Sequence, residues 1–236
     1  MAEPLLEFSD VRAGYAEAVV LDGISFALPE NGSLAVLGRN GVGKTTLLLT
    51  AMGFVGMSRG AVRLRGQDIS RLPPHLRARQ GVGWVPQERD IFPSLTVEEN
   101  LTVTARPGRW DLEGIYGLFP RLRERRGNMG NQLSGGEQQM LTIGRTLMTN
   151  PAVLLLDEPL EGLAPIIVEE LTAAVSRMTR EEGMALVLVE QHAQVALGLT
   201  TDAIVIERGV IAHRAASSDL LEDRETLDRY LGLKLA

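Results

Sequence analysis

The stretch Gly38-Arg39-Asn40-Gly41-Val42-Gly43-Lys44-Thr45 constrains this chain more than any other. It fits G-x-x-x-x-G-K-[ST], the pattern of a loop that wraps phosphate groups. Glycines let the backbone bend tightly, so that successive N–H groups converge on anionic oxygens. Lys44 supplies a compact ammonium for the β- and γ-phosphates, and Thr45 a hydroxyl for Mg²⁺. Thr46 starts a helix whose N-terminal dipole also favours an anion. The flanks agree with this reading. Residues 33–37 are a short apolar run that reads as a buried strand, and residues 46–52 read as a helix closed by Gly53. Strand, loop, helix is the order the motif requires. Lysine is otherwise scarce, Lys44 and Lys234 being the only two. A chain that prefers arginine keeps lysine where a compact cation must fit among phosphates. A chance glycine-rich turn would explain none of this context.

The chain has 236 residues, enough for one large domain or a domain with a subdomain. A net charge of −6 argues against a broad nucleic-acid footprint. There is no cysteine, so disulfide and thiolate chemistry are excluded, which suits the cytosol. The apolar runs, such as 153–156 and 185–189, are too short to span a bilayer, and the N-terminus lacks a signal-peptide core. Work at a membrane would go through a partner.

Residues 5–11 and 24–28 read as leading strands, with a turn expected at Gly14-Tyr15 and another at Pro29–Gly32. Their hairpin order suggests an antiparallel part on an α/β domain. Strands are expected at 60–66, 81–86, 153–156, 185–189 and 203–206. Short helices are expected from Pro73-Pro74 and after Ser217. From about residue 95 the pattern turns helical, with helices expected over 98–105, 112–119 and 135–148. We therefore expect a helical subdomain over 88–149, inserted into a core formed by 1–87 and 150–236. Residues 165–180 read as an amphipathic helix with Ile167, Leu171, Ala174 and Met178 on one face.

Two further motifs carry chemistry. The strand 153–156 runs into Asp157-Glu158. An acid at a strand end beside the phosphate loop can hold Mg²⁺, and a second acid can polarise the attacking water. Asp157 is thus the expected metal acid and Glu158 the expected catalytic base. Strands often end in acids, so the pair gains its weight from the loop upstream. In Leu133-Ser134-Gly135-Gly136-Glu137-Gln138-Gln139, Ser134 and Glu137 have capping-box spacing and should start a helix. Two glycines in that first turn cost helix stability, which suggests that something must approach the backbone closely.

With these motifs in place, the chain resembles the ATP-binding-cassette (ABC) ATPases over nearly its whole length. L-S-G-G-E-Q-Q between a phosphate loop and a hydrophobic-D-E strand is similar to that family's signature. The resemblance implies a phosphate-loop NTPase fold: a mixed central sheet with flanking helices, an N-terminal antiparallel part and the inserted helical subdomain. It implies ATP and Mg²⁺ as cofactors and a head-to-tail ATPase dimer, homomeric or heteromeric. In that dimer Ser134, Gly135 and Gly136, with Glu137 behind them, would close on the γ-phosphate held by residues 38–46 of the other subunit. Tyr15 matches the aromatic that stacks on adenine. Gln87 matches the glutamine that senses Mg²⁺ and γ-phosphate and links them to the membrane partner. Residues 161–164 sit where the dimer-contact loop lies but lack its usual aspartate. The switch histidine has two claimants. Aligned on the preceding strand and Glu190, Gln191 takes the position; counted back from Asp202, His192 does.

A narrower resemblance follows. Residues 92–101, 118–125, 137–141, 162–165 and 189–191 are similar to stretches in the smaller ATPase subunit of branched-chain amino acid importers, while Val85-Pro86-Gln87 leans towards urea-importer subunits. It implies integral-membrane permeases as partners, a solute-binding protein acting indirectly, and a place on the cytoplasmic face of the membrane. The wider family moves amides and aromatic acids too. Two other classes were weighed. A soluble ABC ATPase acting on nucleic acid or ribosomes usually carries tandem cassettes or coiled-coil insertions, which this acidic chain lacks. A phosphoryl-transfer enzyme on the same scaffold would leave L-S-G-G-E without a use. No nucleic-acid partner is expected.

Overall fold

The computed structural model describes residues 3–232. The strands are β1 (Leu6–Tyr15), β2 (Ala18–Leu28), β3 (Ser33–Leu37), β4 (Gly56–Leu64), β5 (Gln67–Asp68), β6 (Val82–Val85), β7 (Val153–Asp157), β8 (Ala185–Val189), β9 (Asp202–Glu207) and β10 (Val210–Ala216). The helices are α1 (Lys44–Met52), α2 (Pro74–Gln80), α3 (Val97–Thr102), α4 (Leu112–Leu118), α5 (Pro120–Glu124), α6 (Gly135–Leu147), α7 (Pro165–Arg180), α8 (Ala193–Leu199), α9 (Ser217–Glu222) and α10 (Arg224–Leu231).

They form two sheets. One is antiparallel, in the order β2-β1-β4-β5. The other runs β10-β9-β3-β8-β7-β6, parallel except for its β10 edge. Strands β3, β7 and β8 are buried at every position, as their uninterrupted apolar runs require of parallel strands covered on both faces. Helix α1 packs between the sheets, in a core that includes Phe8, Phe26, Leu47, Leu48 and Val187. On the opposite face, α6 and α7 bury Met140, Ile143, Leu171 and Met178 against Leu154, Leu156 and Leu188. Helices α3 to α6 all lie between β6 and β7, which are neighbours in the sheet.

Three local readings are revised. Gly14 and Tyr15 do not turn; they continue β1, paired with Val19 and Ala18, and the turn falls at Ala16-Glu17. Gly14 is needed for close backbone approach, because a Cβ there would lie 1.9 Å from the Ala18 carbonyl oxygen. Strand β4 starts and ends earlier than 60–66, because Arg65 and Gly66, both with positive φ, turn the chain into β5. Helix α8 and strand β10 were not anticipated. The β9–β10 hairpin has a readable signal: Arg208-Gly209 is a two-residue turn with both φ values positive.

Candidate functional site

The functional elements meet at the carboxyl ends of β3, β7 and β8, the edge where open parallel sheets build their sites. The loop Gly38–Gly43 leaves β3 and enters α1. Gly38, Gly41 and Gly43 all have positive φ. A Cβ on Gly38 would lie 2.5 Å from the Ile206 carbonyl oxygen, so both its conformation and its space demand glycine. The Lys44 ammonium curls back under this loop, donating to the carbonyls of Gly38 (2.9 Å) and Arg39 (3.2 Å). It also lies 3.6 Å from the Glu158 carboxylate, and both side chains are buried.

The Thr45 hydroxyl donates to Asp157 Oδ1 at 3.2 Å. Asp157 Oδ2 is buried without a partner. Burial pushes the Asp157 carboxyl up to about 6; the Thr45 hydroxyl opposes that rise and the neighbouring Glu158 adds to it. An orphaned carboxylate oxygen beside a hydroxyl at the mouth of a phosphate loop suits Mg²⁺, a hard cation that takes oxygen ligands. The two residues therefore fit the ion.

Glu158 follows β7 with φ 46°, an uncommon conformation for a residue other than glycine. The Gln191 side-chain amide donates to Glu158 Oε2 at 2.6 Å. Gln191 is placed from behind by Glu190, which is buried. Its carboxylate accepts from the backbone N–H groups of Leu160 and Gln191, each at 3.1 Å. Burial raises the Glu190 carboxyl. The Gln87 amide donates to the Glu161 carboxylate, and both line the pocket. The sequence reading used Glu190 only to align Gln191 and placed Glu161 in the expected dimer-contact loop, and read neither as part of the cleft. The acid before the switch position was the available signal for Glu190; Glu161 is brought to Gln87 only by the fold.

The cleft so formed has a volume of about 460 Å³. Asn40, Gly41, Gly43, Lys44, Thr45 and Thr46 line one side. Gln87, Glu158, Glu161 and Gln191 line the other, with Val20 at the margin. Gly38 contributes its carbonyl from below. Several expected residues lie elsewhere. Arg39 and Val42 are not on the wall: the Arg39 guanidinium extends towards Gly232, and Val42 packs on the core between the sheets. Tyr15 is 50% exposed at the tip of β1, off the cleft wall. His192 is exposed and ends the loop before α8, whose first backbone bonds its carbonyl accepts.

The second glycine motif is not in this cleft. Ser134 caps α6, accepting from the Glu137 N–H at 3.4 Å, while Glu137 accepts from the Ser134 N–H at 2.8 Å. Arg125 holds the other Glu137 oxygen at 3.3 Å. Burial alone would raise the Glu137 carboxyl, but these bonds outweigh it and leave it lowered. Within the chain, side chains come close to both glycines. A Cβ on Gly136 would sit 2.6 Å from the Ile167 side chain, and one on Gly135 would sit 2.6 Å from the Arg89 guanidinium. Ser134 is exposed and does not line the chain's own cleft.

The chain is similar to known proteins along nearly its whole length. The family model described as ABC transporter matches residues 21–161. The high-affinity branched-chain amino acid transport ATP-binding protein BraG of Pseudomonas aeruginosa is 38% identical over 97% of this chain and 100% of its own length. The lipopolysaccharide export system ATP-binding protein LptB of Haemophilus influenzae is 31% identical over 97% of each. Among solved structures, a dimeric ATP-binding cassette in a post-hydrolysis state with ADP and Pi superposes with a TM-score of 0.79. It has 21% identity, over 90% of this chain and 98% of the other.

Proposed function

This chain belongs to the ABC transporter family as an ATP-binding, ATP-hydrolysing subunit, and we propose that it powers import of branched-chain amino acids or related small polar, amide or aromatic-acid solutes through partner permeases. The observation that carries the ATPase chemistry is one constellation: Lys44, the Thr45–Asp157 pair and the Glu158–Gln191 pair around a single cleft. The import reading is supported by the likeness to BraG along the whole chain.

In the proposed mechanism, the loop 38–46 receives the phosphates, and Lys44 exchanges Glu158 for the γ-phosphate. That exchange frees the Glu158 carboxylate, which turns to an attacking water as general base. Gln191 holds Glu158 in place and stands where it can reach the γ-phosphate. Thr45 and Asp157, with Gln87 nearby, would hold Mg²⁺, which would supply Lewis-acid neutralisation of phosphate charge. Hydrolysis is complete only when Ser134, Gly135 and Gly136 of a second ATPase subunit, like or unlike, close the open side. Within each chain the 88–149 segment carries that motif and the remaining core carries the loop. Tyr15, at its exposed position, is left to stack on adenine when nucleotide seats near Val20.

Among the described residues no helix is long and apolar enough to cross a membrane, so attachment would run through the permeases. An exposed aromatic cleft suits that contact. Phe54 and Phe92 are largely exposed, with Trp84 and Phe54 ring centres 5.4 Å apart and Arg145 over the Phe92 ring. Gln87 lies between Trp84 and Phe92, so one segment touches both the nucleotide cleft and this surface. A solute-binding protein would act only through the permeases.

The test is uptake of labelled leucine, urea and an aromatic acid in cells carrying wild-type or Glu158→Gln chain. Leucine uptake lost in the variant supports the reading. Uptake of all three unchanged, with lipopolysaccharide delivery impaired instead, would place the chain with exporters such as LptB.

A further inference from the structure

A second groove shares no residue with the nucleotide cleft. It lies where the α4–α5 corner meets α6 and α7, and has a volume of about 490 Å³. Its floor is aliphatic and aromatic: Leu118, Phe119, Met140 and Ala174, all buried. Its rim is charged. Arg121 from α5 pairs with Glu170 from α7 at 2.6 Å. Arg177, about two turns further along α7, donates to the Gly117 carbonyl at 3.0 Å and lies 3.7 Å from the exposed Glu181 carboxylate. Two guanidinium groups and one carboxylate thus stand over an apolar bed.

We propose that this groove binds one zwitterionic amino acid with an aliphatic side chain, and that its occupancy slows ATP hydrolysis. The floor takes the side chain, excluding it from water. The rim reads the backbone end, with Arg121 and Arg177 for the α-carboxylate and Glu170 for the α-ammonium. The Arg121–Glu170 pair is half-exposed, so opening it to admit a ligand costs little. A ligand with one charge that opened the Arg121–Glu170 pair would leave one of the two groups unpaired, and a polar side chain would be stranded on the floor.

The placement explains the effect on turnover. Met140 belongs to α6, whose first turn is Ser134–Glu137. Glu170, Ala174 and Arg177 belong to α7, which begins just after the loop leaving Glu158. A ligand gripping both helices and the α4–α5 corner favours one relative placement of the two catalytic motifs, and so opposes any rearrangement that turnover requires. The ligand class stands on the groove alone; the slowing rests on the ATPase reading above.

Calorimetry on the full chain with L-leucine tests the site. Isovalerate, which lacks the ammonium, and isopentylamine, which lacks the carboxylate, serve as probes of the rim. Leucine should bind one to one and saturably, and bind better than either probe. Glu170→Gln should weaken leucine at least about tenfold without weakening isovalerate, whose carboxylate then meets an unpaired Arg121. Ala173→Phe, at an exposed position on the wall, should fill the groove and abolish leucine binding while ATP affinity stays at the wild-type value. Absence of saturable binding at millimolar leucine overturns the site, as does equal binding of the two probes or leucine affinity unmoved by both variants. Saturating leucine should lower ATP turnover by about fivefold or more in wild type and not in Ala173→Phe. Turnover unmoved despite binding overturns the regulatory half. A chain that binds leucine but hydrolyses no ATP even in the assembled transporter instead counts against the ATPase reading.

Discussion

Two helices in this molecule begin with glycines, and they are put to opposite uses. Helix α1 starts from Gly43 with no side-chain cap. Its first N–H groups stay free, and Lys44, Thr45 and Asp157 gather around them in one cleft. Helix α6 starts from Ser134 with a complete capping box, and Glu137 is further held by Arg125. Its glycines serve packing against Ile167 and Arg89, while Ser134 faces outward. The lesson is that a glycine-rich helix start becomes a site within its own chain only when a neighbouring strand end brings charge to it. Strands β7 and β8 do that for α1. Among the described residues no strand end does it for α6, where Arg125 and Arg89 come close instead, which is the physical sense of a motif that would complete another subunit.

The largest expected effect tests the completed half. Glu158→Gln should lower ATP turnover by about 10²- to 10⁴-fold while ATP still binds, leaving a persistent nucleotide-bound dimer. Rapid-quench hydrolysis together with sizing chromatography reads both, and normal turnover removes Glu158 as the base.

A paired substitution tests the contrast directly. Lys44→Ala should weaken ATP binding to the isolated chain by about 10- to 100-fold, since it removes a charged phosphate partner. Ser134→Arg should leave that affinity unchanged and yet suppress hydrolysis in the assembled transporter. Equal effects of the two on the isolated chain's affinity would erase the distinction between the two helix starts.

The switch position gives a smaller effect. Gln191→Ala loses the 2.6 Å bond to Glu158 and should lower turnover by about tenfold, whereas His192→Ala should leave it near wild type. The reverse ranking in steady-state ATPase assays would return the role to His192.

The mildest test is pH. Asp157 holds its proton up to about 6, against an ordinary value of 3.8. The folded chain binds that proton more tightly than the unfolded chain, so this group's contribution to stability is present below 3.8 and lost as pH rises through about 6. At the proposed metal site Mg²⁺ would take the ionised carboxylate, so MgATP affinity should move the other way, falling by about tenfold per unit below that point. Fluorescence titration of MgATP at several pH values checks it; an affinity flat from pH 7 to pH 5 would remove Asp157 from the metal site.

Much of the fold was legible because its signals are local. The helix Pro165–Arg180 and the strand Ala185–Val189 match the expected spans residue for residue, since an amphipathic period with Pro at its first position and a pure apolar run are each readable on their own. The turn at Gly14 was misplaced because glycine signals backbone freedom without saying whether a turn or a close neighbour uses it. The short helix α8 carries too few residues for a period to emerge, and the edge strand β10, mostly half-buried, lacks a clear alternation.

By itself the sequence determined the phosphate loop, the strand that feeds it, the two acids at the end of β7 and the capping box of α6. Each is settled within a few residues, by φ freedom, side-chain-to-backbone bonds or apolar period. The tertiary structure decided which of these face one another. Thr45 meets Asp157 across 112 residues and Gln191 meets Glu158 across 33, because parallel strands in register bring their carboxyl ends to one edge. The same packing turned Ser134 outward, drew Gln87 to Glu161, and left His192 in solvent while Gln191 reached the cleft. Long-range register carries no local signature in the chain, and so the composition of the site, unlike its motifs, had to be read from the fold.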